Sequence, residues 1–306
     1  MQSVKIKAYA KLNFTLELFG MQDGFHQLDS LVSTVDLYDT VIVRKRKDKL
    51  VNVVMHGLGS ESIPPEHNNA VKAGEAFVNA FQTTGADITV FKDIPIGAGL
   101  GGSSADAAGV LLGMAKLYAI PVLGELEALA DSLGSDTKYL LHGGFMRMQG
   151  RGEKLTKLPI EQTLHILLLC PPTPIATKSC FAAYDRMPKT LEWKESATQN
   201  CIDALLRGDI NEGGRYLMNE LFAAASTLNT DTASALQALR DFSPLGACMS
   251  GSGSSVFAVF ETKELCEWAK SRYNGNARAF VVKTVAGQER KKKSIFRNPF
   301  ALTGDE

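Results

Sequence analysis

The stretch IPIGAGLGGSSADAA, positions 94 to 108, constrains the fold more than any other part of the chain. Its glycines at 97, 99, 101 and 102 let a backbone approach a ligand closely. The alanine-rich apolar run behind them predicts a helix from about Ser104 to Tyr118, halted near Pro121. Amides at a helix N-terminus point outward with the positive end of the dipole, so a loop of this kind suits an anion. Ser103 or Ser104 is placed to cap the helix, and Ser103-x-x-Asp106 has the spacing of a capping box with a short acid. The competing reading is a flexible turn and a capped helix with no ligand.

Gly97-x-Gly99-x-x-Gly102 is also the spacing of a dinucleotide-binding turn. That turn belongs between the first strand and first helix of a βαβ unit, with an acid about 20 residues on at a second strand. Here it follows hairpin-like strands, Pro95 interrupts the approach, and Glu125 and Glu127 fall in a helical pattern. No Gly-Lys-Ser/Thr closes a Walker loop, and no His-Arg-Asp or Asp-Phe-Gly of a protein kinase follows. An oxidoreductase is therefore the weaker use of this loop.

Around the loop, periodicity predicts strands over 4–20 and 31–55, a helix from His67 to Gln82 with Val71, Ala76, Phe77, Ala80 and Phe81 on one face, and a short strand ending at Pro95. Helix, glycine break and short helix follow over 124–142, then a hairpin over 143–158 and a buried strand ending at Pro171-Pro172. The second half mixes helices at about 177–186, 198–207, 211–225, 231–240 and 262–271 with strands at 246–260 and 278–285. The expected organisation is an α/β (α+β) protein with domains over 1–160 and 161–285 and a polar tail over 286–306. The 33 basic and 33 acidic residues cancel, which argues against nucleic acid or an anionic membrane as a partner. Five cysteines without a C-x-x-C pair read as free, packed thiols. No run approaches the roughly 18 apolar residues of a membrane span, so a cytoplasmic setting is expected.

Three separated segments, in order, carry a family resemblance. AKLNFTLEL, PIGAGLGGSSADAA and CMSGSGSSVFAVF are similar to the three motifs of the GHMP kinases (galactokinase, homoserine, mevalonate and phosphomevalonate kinases), and the resemblance spans about residues 3–285. It implies a ribosomal protein S5 domain 2-like N-terminal domain, a ferredoxin-like C-terminal domain and a cleft between them. It also implies ATP with Mg²⁺ as cofactors. The phosphate loop is then Pro95, Ile96, Gly97, Ala98, Gly99, Leu100, Gly101, Gly102, Ser103, Ser104 and Ala105, with Asn69 supporting the nucleotide base; no metal ligand is assigned.

By the same resemblance Asp136 is the general base, with Lys11 beside it. Read alone, Asp136 after Gly134-Ser135 is a helix N-cap and Lys11 a solvent-facing strand residue. The segments DGFHQLDSLVSTVDLYDTVIV, GSDTKYLLHGG and GRGEKLTKLP resemble a branch whose small-molecule substrate is a cytidylated sugar alcohol of isoprenoid synthesis. For that substrate Phe25 and Phe181 would sandwich the cytosine, His26 read its edge, and Asn13, Gly251, Ser252 and Gly253 hold the polyol or diphosphate. Three departures stand out: Phe25 where tyrosine is usual, Lys138 where proline is usual, and a shifted Ser103-Ser104. They keep open a mevalonate- or homoserine-type acceptor, or a non-catalytic ATP-binding regulator. The oligomeric state is expected to be monomer or homodimer.

Overall fold

The computed structural model describes residues 3–57, 59–60, 64, 68–120, 123–188 and 195–286. The first half runs β1 (Ser3–Asn13), β2 (Thr15–Gln22), β3 (Phe25–Lys45), β4 (Val51–Gly57), α1 (Asn69–Phe81), β5 (Ala86–Lys92), α2 (Gly102–Leu117), α3 (Leu123–Leu133), α4 (Ser135–His142), β6 (Met146–Gly150) and β7 (Lys154–Lys157). The second runs β8 (His165–Cys170), α5 (Thr177–Asp185), α6 (Ala197–Leu206), α7 (Ile210–Arg215), β9 (Met218–Asn219), α8 (Phe222–Leu228), α9 (Thr230–Arg240), β10 (Gly246–Met249), β11 (Val256–Phe260), α10 (Lys263–Arg272) and β12 (Arg278–Lys283). The tail from 287 onward lies outside the described residues.

The long strand β3 organises the first sheet, pairing antiparallel with β1, β2, β5 and β6 along different parts of its length. Between Tyr9–Tyr38 and Lys11–Thr34 the β1 register slips, four positions on β3 against two on β1. A bulge of this kind re-aims side chains. Alternating exposure along β1 accordingly gives way to four buried residues, Ala10 to Asn13. Lys11 is thus turned inward, contrary to the solvent-facing position that alternation predicts.

The glycine loop leaves β5 and enters α2, which is buried from Ala105 to Ala115. A parallel β4–α1–β5 unit precedes it, so the approach is not purely hairpin-like as read from the sequence. After α2 the chain returns through α3 and α4 to β6, antiparallel to β3, rather than to a parallel strand beside β5. This is not the sheet of a dinucleotide domain. On α1 the buried face is Ala70, Ala73, Gly74, Phe77 and Val78, and Ala80 faces out.

The second sheet has the order β10-β11-β8-β12, antiparallel throughout, with helices between β8 and β10 and between β11 and β12. That is the β-α-β-β-α-β plan of a ferredoxin-like unit. The single helix expected over 211–225 is instead α7 and α8. Asn219 between them is drawn to the β10–β11 loop, donating to Met249 O and Gly251 O at 2.8 Å each. The same segment, β9, pairs parallel with β2 and so joins the two halves. Two buried hydrophobic clusters underlie the sheets, one around Phe14, Phe77 and Leu111, the other around Leu167, Leu236 and Phe260. All five cysteines are buried and free.

Candidate active site

A cleft of about 440 Å³ opens beside the glycine loop. Gly101 (φ 71°) is the N-cap of α2, and no side chain caps the helix. The expected capping box does not form, because the Asp106 carboxylate is turned to Lys92, with Oδ2 at 2.6 Å from Nζ. The loop's carbonyls are taken by the structure behind it. Ile175 N donates to Gly97 O (3.3 Å), Ser255 N to Ala98 O (3.1 Å), Ser250 Oγ to Gly99 O (3.0 Å) and Lys11 N to Leu100 O (3.0 Å). Among the described residues no amide from Gly97 to Ser104 donates to another group of the chain. The run therefore presents unsatisfied N–H groups at a helix N-terminus, an anion cradle by construction.

Glycine is required where this loop meets the β10–β11 loop. A Cβ on Gly99 (φ 75°) would lie 2.3 Å from Ser250 O, and one on Gly101 would lie 3.0 Å from Lys11 Cγ. The stem of Lys11 thus passes beneath the cradle.

Its ammonium is 2.6 Å from Asn13 Oδ1 and 3.3 Å from Asp136 Oδ2, and the residue is 5% exposed. Asn13 is itself held, donating through Nδ2 to Ser30 Oγ at 2.8 Å. Asp136 lies in the first turn of α4, whose N-cap is Gly134. It is not the cap that its local sequence suggests, and its carboxylate faces the cleft. Lys138, which stands where the resemblance has proline, pairs with Asp131 of α3 at 3.0 Å.

Lys11, Asn13, Asn69, Pro95 to Ser104, Asp136, Phe181, Gly251 and Ser252 all line the cleft. Ala105 is buried beneath the first turn of α2, and the Cβ position of Gly253 faces Met249 and Ile175 behind its loop. Phe25 and His26 stand on the β2–β3 hairpin beside the cleft rather than lining it. No ring contact joins Phe25 to Phe181 among the described residues. Phe181 stacks on His26 (5.3 Å, 25°), while Phe25 is 55% exposed with the Arg151 guanidinium over its ring at 4.9 Å.

Several lining groups carried no signal in the sequence. Arg151, Thr177 and Lys92 were not singled out by any spacing pattern, and Asp106 was read only as the acid of a capping box. Lys92 bridges the buried carboxylates of Asp39 and Asp106. Burial pushes Asp106 up to about 8, opposed by Lys92 and reinforced by Asp39. No group of three or more His, Cys, Asp or Glu among the described residues could hold a metal ion alone.

Family models match in two places: GHMP kinases N terminal domain over residues 68–146 and GHMP kinases C terminal over 201–273. A 4-diphosphocytidyl-2-C-methyl-D-erythritol kinase of Caldicellulosiruptor saccharolyticus is 34% identical over 84% of this chain and 88% of its own. The enzyme of that name from Clostridium beijerinckii is 31% identical over 92% of this chain and 100% of its own. A crystal structure of 4-(cytidine 5'-diphospho)-2C-methyl-D-erythritol kinase superposes with TM-score 0.74 at 28% identity, covering 92% of this chain and 100% of that one. Homoserine kinase from Cytophaga hutchinsonii superposes at 0.72 with 21% identity, over 94% and 96% of the two chains, which speaks to the fold alone.

Proposed function

The chain belongs to the GHMP kinase family, and from that premise we propose that it phosphorylates the 2-hydroxyl of 4-diphosphocytidyl-2-C-methyl-D-erythritol with ATP, a step of isoprenoid biosynthesis. The observation that carries the reading is the run of undonated amides from Gly97 to Ser104, set within one cleft with the Lys11–Asp136 pair. A phosphoryl cradle and a proton acceptor with its own cation are what transfer to an alcohol needs.

Asp136 takes the proton of the acceptor hydroxyl. A carboxylate is a weak base for an alcohol, so the Lys11 ammonium, 3.3 Å away, stabilises the forming alkoxide. Asn13 fixes Lys11 through its amide oxygen. The loop amides supply positive dipole ends to the phosphates, at no reorganisation cost, since the carbonyls behind them are already bound. Magnesium suits such a site as a companion of the nucleotide: the hydroxyls of Ser103 and Ser104 and the Asp136 carboxylate are oxygen donors facing the cleft. Bound there, it would neutralise phosphate charge. Arg151, over the Phe25 ring on the hairpin side, is the cation for the acceptor's diphosphate, and Asn69 serves the nucleotide's base. The reading keeps the cytoplasmic setting expected from the sequence.

ADP release tests it, with the cytidylated alcohol, mevalonate and homoserine offered separately. Turnover confined to the cytidylated alcohol supports the reading. Turnover confined to another alcohol would keep the kinase and discard the acceptor.

A further inference from the structure

The β2–β3 hairpin is fastened to α5 at one histidine. His26 follows the Asp23-Gly24 turn, and its side chain is 8% exposed. Phe181 stacks on the ring, Tyr184 meets it edge-on (5.6 Å, 79°), and Asp185 Oδ1 lies 2.9 Å from Nε2. Residues 181, 184 and 185 share one face of α5 by helical spacing. A second attachment runs alongside: Glu220 Oε2 accepts from Leu18 N at 2.8 Å and from the Tyr184 hydroxyl at 3.2 Å. At its other end α5 begins with Thr177, which lines the cleft and meets the Ser252 hydroxyl at 3.0 Å. One helix therefore walls the cleft and grips the hairpin that carries Phe25.

Nε2 of His26 is enclosed, and no aligned hydrogen bond satisfies it. Leaving a buried polar nitrogen unpaired is costly, and Asp185 is the carboxylate within reach. We propose that Asp185 is a positioning residue for the acceptor subsite. It draws His26 onto α5 and so sets the hairpin bearing Phe25 against the cleft wall bearing Phe181. The proposal rests on the acceptor reading given above. Asp185 is 43% exposed, so its replacement leaves the core intact.

The test is steady-state kinetics of the unmodified chain, Asp185→Ala and Asp185→Asn, with the cytidylated alcohol and ATP varied separately. Asp185→Ala is expected to raise the KM for the alcohol on the order of tenfold, with kcat and the KM for ATP changed by less than about twofold. Asp185→Asn keeps an oxygen acceptor for the ring N–H and recovers most of that loss. An unchanged KM for the alcohol in Asp185→Ala overturns the proposal, as does a parallel rise of both KM values. No turnover by the unmodified chain overturns the acceptor reading itself, and with it this role for Asp185.

Discussion

The ammonium of Lys11 sits closer to the amide oxygen of Asn13, 2.6 Å, than to the carboxylate of Asp136, 3.3 Å. Asn13 is therefore the fixed member of the centre. Asp136→Asn is expected to lower kcat by roughly 10²–10⁴-fold with the KM for ATP little changed. Asn13→Ala is expected to lower kcat by about tenfold, the scale of one hydrogen bond to a charged group. Initial rates at saturating ATP check both.

Gly99 is held at φ 75° with no space for a Cβ against Ser250 O. Gly99→Ala thus combines backbone strain with a clash between two loops. It is expected to cost about 2–3 kcal/mol of stability and to raise the KM for ATP, because the cradle moves. Gly20, whose Cβ would meet nothing, is the control, and Gly20→Ala should leave the KM for ATP unchanged. Thermal unfolding with ATP titration separates the two.

Asp39, Lys92 and Asp106 bring two carboxylates and one ammonium into a buried cluster beside the cradle. With its folded pKa raised to about 8 from 3.8, Asp106 retains a proton in the folded state that the unfolded chain has already lost. Between those values the folded state binds more protons, so stability falls as pH rises through that window. Asp106→Asn removes the proton and is expected to flatten the pH dependence between about pH 5 and 8. Chemical denaturation at several pH values measures the slope.

Glu17, 1% exposed, places its carboxylate at the N-terminus of α6, accepting from Ser196 Oγ at 2.8 Å and from the amides of Ala197 and Thr198 at 3.0 Å each. A strand of the first sheet thereby caps a helix of the second half, on the favourable end of its dipole. Glu17→Ala leaves the buried Thr198 amide and the half-buried Ser196 and Ala197 donors without their acceptor and is expected to cost about 3 kcal/mol, with kcat little affected. Denaturant midpoints beside kinetic constants check this.

How much was legible in the sequence differs from element to element. The glycine loop, α2, the β6–β7 hairpin and β8 follow from periodicity and turn residues, because local propensity and tertiary context agree there. The inward turn of Lys11 was not legible by alternation. It depends on a bulge against β3, a strand whose partner positions lie more than 20 residues away. The break in the helix expected over 211–225 depends on Asn219 bonding to Met249 and Gly251, again a long-range demand. Arg151 and Asp185 were silent for the same reason, since a charged residue near a turn or helix end reads as solvated until the fold brings Phe25 or His26 to it.

The product of the reaction tests the central claim most directly. The unmodified chain, with ATP, magnesium and 4-diphosphocytidyl-2-C-methyl-D-erythritol, would be followed by ³¹P NMR beside Asp136→Asn. The account predicts a new phosphomonoester on the 2-hydroxyl that grows in step with ADP and is lost in the variant. Release of inorganic phosphate in place of that ester, or full activity of Asp136→Asn, would contradict it.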